Sequence, residues 1–188
     1  YILNSKETPL KNPYNRNVIK DNFKIKISKH LRFCKIFNIN LNISTHSEII
    51  KRDINQRIID IFHQIDQLGN YTNANWFLNL EHRKLIRFIF ELKDIWVYRA
   101  NLSDEIKRNI CSPTGNPFIN VNLNMIRTIR YTNNLRSICL TIMSNMISLG
   151  TTDEYKSLGA FYILTALTLV SEEAAIALPW LYDSVVIG

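Results

Sequence analysis

Cysteine is scarce in this sequence and odd in number, and Cys34, Cys111 and Cys139 lie far apart. Three separated thiols provide neither the even count of a disulfide framework nor the close pairs of a zinc site. They are expected as free thiols, buried as small hydrophobes in a reducing compartment. Glycine and proline number five each among 188 residues, which excludes collagen-like and linker-rich organisation. The longest apolar run, Leu158 to Val170, contains Thr165 and Thr168 and falls short of the ~20 residues that span a bilayer. It reads as a core helix, and no membrane span is expected. No charged and then apolar leader opens the sequence, an expectation against secretion. Phosphate-cradling Gly-rich loops, nucleophile motifs and metal-ligand spacings are all missing, so no cofactor, metal or catalytic residue is expected.

Acidic residues are also few where basic ones are many. Residues 1–130 hold 21 Lys and Arg against 11 Asp and Glu, whereas residues 131–188 hold 2 against 5. One part faces something anionic or simply water, and the other is built to be buried. With 46% hydrophobic and 21% charged residues, the composition is that of a globular chain, long enough for one ordinary domain or two small helical subdomains. Asn (22) and Ile (28) are in excess. Their codons are A/T-rich, which points to an A/T-rich genome.

Periodicity is helical throughout. Pro9 and Pro13 mark an extended entry. Phe23, Ile27, Leu31 and Cys34 then form an apolar stripe, with Lys24, Lys26, Lys29, Arg32 and Lys35 lying off it. Thr45 and Glu48 read as a capping box for a helix carrying Ile54, Ile58, Ile61, Ile65 and Leu68 inward and Lys51, Arg52 and Arg57 outward, closed by Gly69. Trp76 and Phe77 suggest one short turn. A long helix from about Glu81 places Leu85, Ile89, Leu92, Trp96 and Arg99 on one side, and Ser103 caps a shorter one.

Pro113, Gly115 and Pro117 suggest a connector, which divides the chain into a basic subdomain (1–112), a linker (113–120) and an apolar, mildly acidic subdomain (121–188). One or two helices follow, ending at Gly150. Thr151 with Glu154 reads as a second capping box before Tyr155–Val170. Ser171, with Glu172 and Glu173, caps the next segment, and Pro179 restarts the last one. No sustained alternation or hairpin signal occurs. The expected fold is therefore all-α, an irregular multi-helix bundle of about seven helices, in one body or two packed subdomains.

Among the polar constellations, His63 and Asp66 share a helix face but lack a nucleophile, and they read as surface residues. Glu91, Asp94 and Arg99 flank Trp96, and the expected role is structural, with Trp96 as a core anchor and a carboxylate on Arg99. His30, His46 and His82 are isolated. The functional candidate is the basic helix of Lys20–Lys35. Clustered cations with Tyr14, Phe23 and Phe33 nearby suit phosphates and bases, against a competing reading as a solvated face in a Lys-rich chain.

Several short runs occur in order: Asn12-Pro13-Tyr14-Asn15-Arg16, Leu68-Gly69-Asn70-Tyr71, Trp76-Phe77, Glu91 to Arg99, Ile110 to Phe118, Ser157-Leu158-Gly159 and Leu178-Pro179-Trp180-Leu181. Together they resemble a family of proteins from giant nucleocytoplasmic large DNA viruses of the mimivirus kind, with Ser112 where a second proline is expected. The resemblance implies a setting in the host cytoplasm, at the virus factory, or in the virion. It transfers no catalytic residue.

Two function classes follow as expectations. The first is a non-enzymatic binding or scaffold protein meeting nucleic acid or an acidic partner through Lys24, Lys26, Lys29, Arg32, Lys35, Lys51, Arg52 and Arg57. The second is an assembly subunit that uses the apolar Tyr155–Val186 region, including Leu164, Leu167 and Trp180, against a viral protein or another copy of itself.

Overall fold

The computed structural model of this chain describes Val18, Asn22, Phe23, Ile25, Lys26, Ser28, Lys29 and Arg32, then residues 46–186, with side chains from Asp53 to Val185. The chain divides into two compact units, Tyr1–Glu48 and Ile49–Gly188. The fold is all-α, and no strand occurs among the described residues. In the first unit the described residues between 22 and 32 are helical and exposed. Phe23, expected on an apolar stripe, is 51% exposed, and Ile25 beside it 53%. Ile27, Leu31, Cys34 and the Thr45–Glu48 capping box lie outside the described residues or side chains.

Helix α1 (His46–Gln67) presents Ile54, Ile58, Ile61 and Ile65 to the core of the second unit, together with Phe62. The 4-3-4 spacing keeps these side chains on one stripe. Gly69 ends the run in the left-handed region, at φ 93°, where a side chain is strained. The loop behind it is tied by Asp66, whose carboxylate accepts from the Thr72 amide at 2.9 Å and its hydroxyl at 2.7 Å.

Helix α2 (Asn75–Leu78) buries Trp76 and Phe77. Arg136 closes its C-terminal side by donating from Nη2 to the carbonyls of Leu78 (2.9 Å) and Leu80 (3.3 Å). The Leu78 carbonyl is one of the acceptors that a helix end leaves without a partner.

Helix α3 (His82–Asp94) buries Leu85, Phe88, Ile89 and Leu92, and runs directly into a π-helical turn (Ile95–Arg99). That turn corrects one expectation. Arg99 does not join Trp96 on the core side but is exposed. The amide of Ala100 reaches back to the Ile95 carbonyl at 2.9 Å, five residues instead of four. The wider turn delays the next inward position by one residue, so Ala100 packs on the core where Arg99 would have stood. Trp96 is buried and donates from its indole nitrogen to the Gly115 carbonyl at 3.3 Å.

Helix α4 (Asp104–Ile110) starts at Ser103, whose hydroxyl accepts from the Ile106 amide. A 3-10 turn (Leu123–Thr128) leads to α5 (Thr132–Ser148). Residues before, within and after the 113–120 connector share one core, with Ile110, Phe118 and Leu135 in the same buried cluster. The connector is also pinned by Asn145, which donates to the Pro117 carbonyl at 2.9 Å.

Helix α6 (Asp153–Thr168) is the hub, packing on α3, α4 and α5 and on the two helices that follow it, α7 (Glu172–Ala177) and α8 (Pro179–Val186). Surrounded on so many sides, it is apolar nearly all round, as a buried helix must be. Its two buried threonine hydroxyls are satisfied within the helix: Thr165 and Thr168 donate to the carbonyls of Phe161 and Thr165, each at 2.8 Å. Thr151 does not form the expected box with Glu154. Thr152 is the flanking residue, and the Thr151 amide instead donates to the Asn109 carbonyl at 2.9 Å. Glu154 takes the Thr152 side chain as its partner, and that hydrogen bond holds its carboxyl below the usual range. Ser171 caps α7 through the Ala174 amide, as its sequence suggests.

Candidate anion-binding surface

Lys26, Lys29 and Arg32 recur at intervals of three on helical, exposed residues of the first unit. On an α-helix this interval lays successive side chains along one slanted stripe, ~9 Å from first to last. Three cations in one row can meet successive phosphates without any side chain rotating to the far side. Lys24 and Lys35 lie outside the described residues, as do the side chains of Lys51 and Arg52. Arg57, on α1, is half-buried. The structure therefore brings Lys26, Lys29 and Arg32 onto one segment and places Arg57 on another helix.

The other constellations resolve into structure. His63 is exposed and Asp66 serves the Thr72 turn. Glu91 accepts from Arg87 at 3.3 Å and from Arg99 at 3.2 Å, and Asp94 pairs with Arg99 at 2.6 Å. His82 faces the Thr132 hydroxyl at 3.3 Å through Nδ1. Cys111 and Cys139 are buried free thiols. Burial pushes the Cys111 thiol up to about 12 and raises that of Cys139 as well, so both are poor nucleophiles. Among the described residues no group of His, Cys, Asp and Glu could hold a metal ion, and no helix is long and apolar enough to cross a membrane.

The apolar C-terminal residues separate into two kinds. Leu164 and Leu167 belong to the internal core, while Trp180 is 60% exposed and Ile176 74%. Trp180 leans on Phe161, with ring centroids 6.0 Å apart.

Sequence reasoning missed a groove of about 350 Å³ on α3 and the π-turn, where Arg87, Phe90, Lys93 and Tyr98 join the Glu91 and Asp94 ion pairs. The Arg127 guanidinium sits 5.0 Å over the Phe90 ring. Cations interleaved with aromatics between Arg87 and Arg99 were a usable signal. Arg127, far along the chain, was not. No protein-family model, curated protein or solved structure matches this chain.

Proposed function

We propose that this chain is a non-enzymatic helical binding protein that holds nucleic acid, with little regard for sequence, through the basic helical segment of its first unit. The observation that carries this reading is the exposed row of Lys26, Lys29 and Arg32. The charge asymmetry supports it, since the cations are concentrated in residues 1–130. Such a surface gains affinity by releasing counterions from phosphates, so binding should fall steeply with salt. The resemblance to giant-virus proteins sets this activity in a cytoplasmic virus factory or a virion.

The test is binding of the full chain to fluorescein-labelled single- and double-stranded oligonucleotides across a salt series. The triple variant Lys26→Glu, Lys29→Glu, Arg32→Glu should bind far more weakly. Its salt slope on single strands should be shallower by about 2, at ~0.7 per lost phosphate contact. Unchanged affinity in the variant sinks the proposal. Transfer of the salt-sensitive binding to an acidic polypeptide, with none to nucleic acid, would assign the segment to an acidic protein partner.

A second reading, an assembly subunit, is favoured by the exposed Ile176 and Trp180, since large apolar side chains at a surface often mark a contact. Sedimentation of the full chain decides it: a monomer unaltered by Trp180→Ser and Ile176→Ser removes that reading.

A further inference from the structure

The groove on α3 combines three chemistries in one place. Glu91 pairs with Arg87 and Arg99, and Asp94 with Arg99; Lys93 adds a third cation, leaving the lining net positive, and Arg127 sits over Phe90, one of the lining rings. Arg127 is itself oriented by stacking on Phe90, so its charge is aimed rather than waving in solvent. Tyr98 lines the same groove yet is 71% exposed. A large ring presented to water beside fixed cations contributes little to the core, and it is a ready platform for a flat partner.

We infer that this groove binds single-stranded nucleic acid, with a base stacked on Tyr98 and the flanking phosphates on Lys93 and Arg127. Each part of the ligand then has a matching group: π-face on ring, phosphate on cation, and a base N–H on the Asp94 Oδ1 that the ion pairs leave over. An acidic peptide would meet Glu91 and Asp94 with like charge and would leave Tyr98 unused. A duplex hides its base faces inside the stack. The groove's size, about 350 Å³, suits a nucleotide unit rather than a helix of DNA. This surface lies wholly on the second unit, and its assignment does not rest on the basic segment of the first.

The experiment is anisotropy of the full chain with fluorescein-labelled oligo-dT, alongside a duplex of equal length. Tyr98→Ala should lower affinity for the single strand by about tenfold or more, while Tyr98→Phe, which keeps the ring, should bind as the parent does. Lys93→Glu with Arg127→Glu should weaken binding and flatten the salt slope by about 1.4. Duplex affinity should not respond to Tyr98→Ala, and a 5-iodouracil oligonucleotide should cross-link to the peptide containing Tyr98. Helical circular dichroism checks that each variant is folded.

A change of less than about twofold on Tyr98→Ala overturns the inference, because a stacked base cannot be that cheap. Absence of single-strand binding by the parent at low salt, or equal loss of duplex binding in Tyr98→Ala, overturns it too. The Lys26, Lys29, Arg32 triple variant separates the two surfaces. If it binds as the parent does while Tyr98→Ala fails, the groove stands and the basic segment falls. The opposite pattern removes the groove alone.

Discussion

Gly159→Ala adds one methyl group where α6 lies against the backbone of α5. A Cβ built on Gly159 collides with the carbonyl oxygen of Met146, stands 2.9 Å from that carbonyl's carbon, and 3.3 Å from Cγ2 of Ile110. Two of these three atoms belong to the backbone of α5, so no side-chain rotation relieves the overlap. The helices α5 and α6 must part by something near an ångström, and a gap of that size forfeits a quarter to a half of the dispersion energy of every contact along it. That seam includes Met143, Met146, Ile147 and Ile163, all buried.

Overpacking of this kind costs about 1–3 kcal/mol and occasionally more. Here the backbone origin of the clash puts it near the top of that range. Alanine returns about 1 kcal/mol of helix propensity, leaving a net loss of about 2 kcal/mol. For a chain of this size that lowers Tm by roughly 4–8 °C. Urea unfolding followed by circular dichroism should show a lower midpoint with an unchanged slope. Gly69→Ala is the comparison: nothing lies within 4 Å of its Cβ, so its cost of about 1 kcal/mol comes from the left-handed backbone alone. If Gly159→Ala is as stable as the parent, the close approach of α5 and α6 is wrong.

Other outcomes follow from single contacts. Asp66→Ala removes the acceptor of both Thr72 hydrogen bonds and should cost about 1–2 kcal/mol. Thr72→Val in that background should add little, and full additivity in a double-mutant cycle would refute the pairing. Cys111 is neutral in the folded chain up to about pH 12, but its unfolded value is 9.0. Its contribution to stability is thus intact below pH 9 and shrinks as pH rises toward 12. The stability advantage of the parent over Cys111→Ala should be constant up to pH 9 and then diminish, and a flat difference at higher pH contradicts the burial. Native protein treated with iodoacetamide at pH 8 should leave Cys111 and Cys139 unlabelled in peptide mass spectra, while urea exposes both.

Much of this architecture is written locally. Ile54, Ile58, Ile61 and Ile65 mark the buried stripe of α1 because a 3.6-residue repeat admits no other single face. Ser103 and Ser171 announce helix starts because a short hydroxyl side chain can close on the third amide beyond it. Gly69 stops α1 because its φ is open to glycine alone at little cost. The basic row of Lys26, Lys29 and Arg32 was legible for the same reason: it is a pattern within one short segment. Where reading failed, the competing partner was remote or the period changed. Arg99 left the core face because the π-turn inserts one extra residue, a choice made by how Trp96 and Ala100 pack. Thr151 was drawn from its box by the Asn109 carbonyl, which no local rule brings near it.

The sequence by itself determined the all-α class, most helix limits, the buried free thiols Cys111 and Cys139, and the concentration of positive charge before Tyr131. These depend on periodicity, capping and composition, which act over a few residues. Only the tertiary structure decided that Leu164 and Leu167 are interior while Trp180 faces water. It alone set Arg136 on the Leu78 and Leu80 carbonyls, and Arg127 over the Phe90 ring. Those pairings join residues far apart in the chain. Their geometry is set by how whole helices pack, and helical period carries no information about which helix will lie alongside.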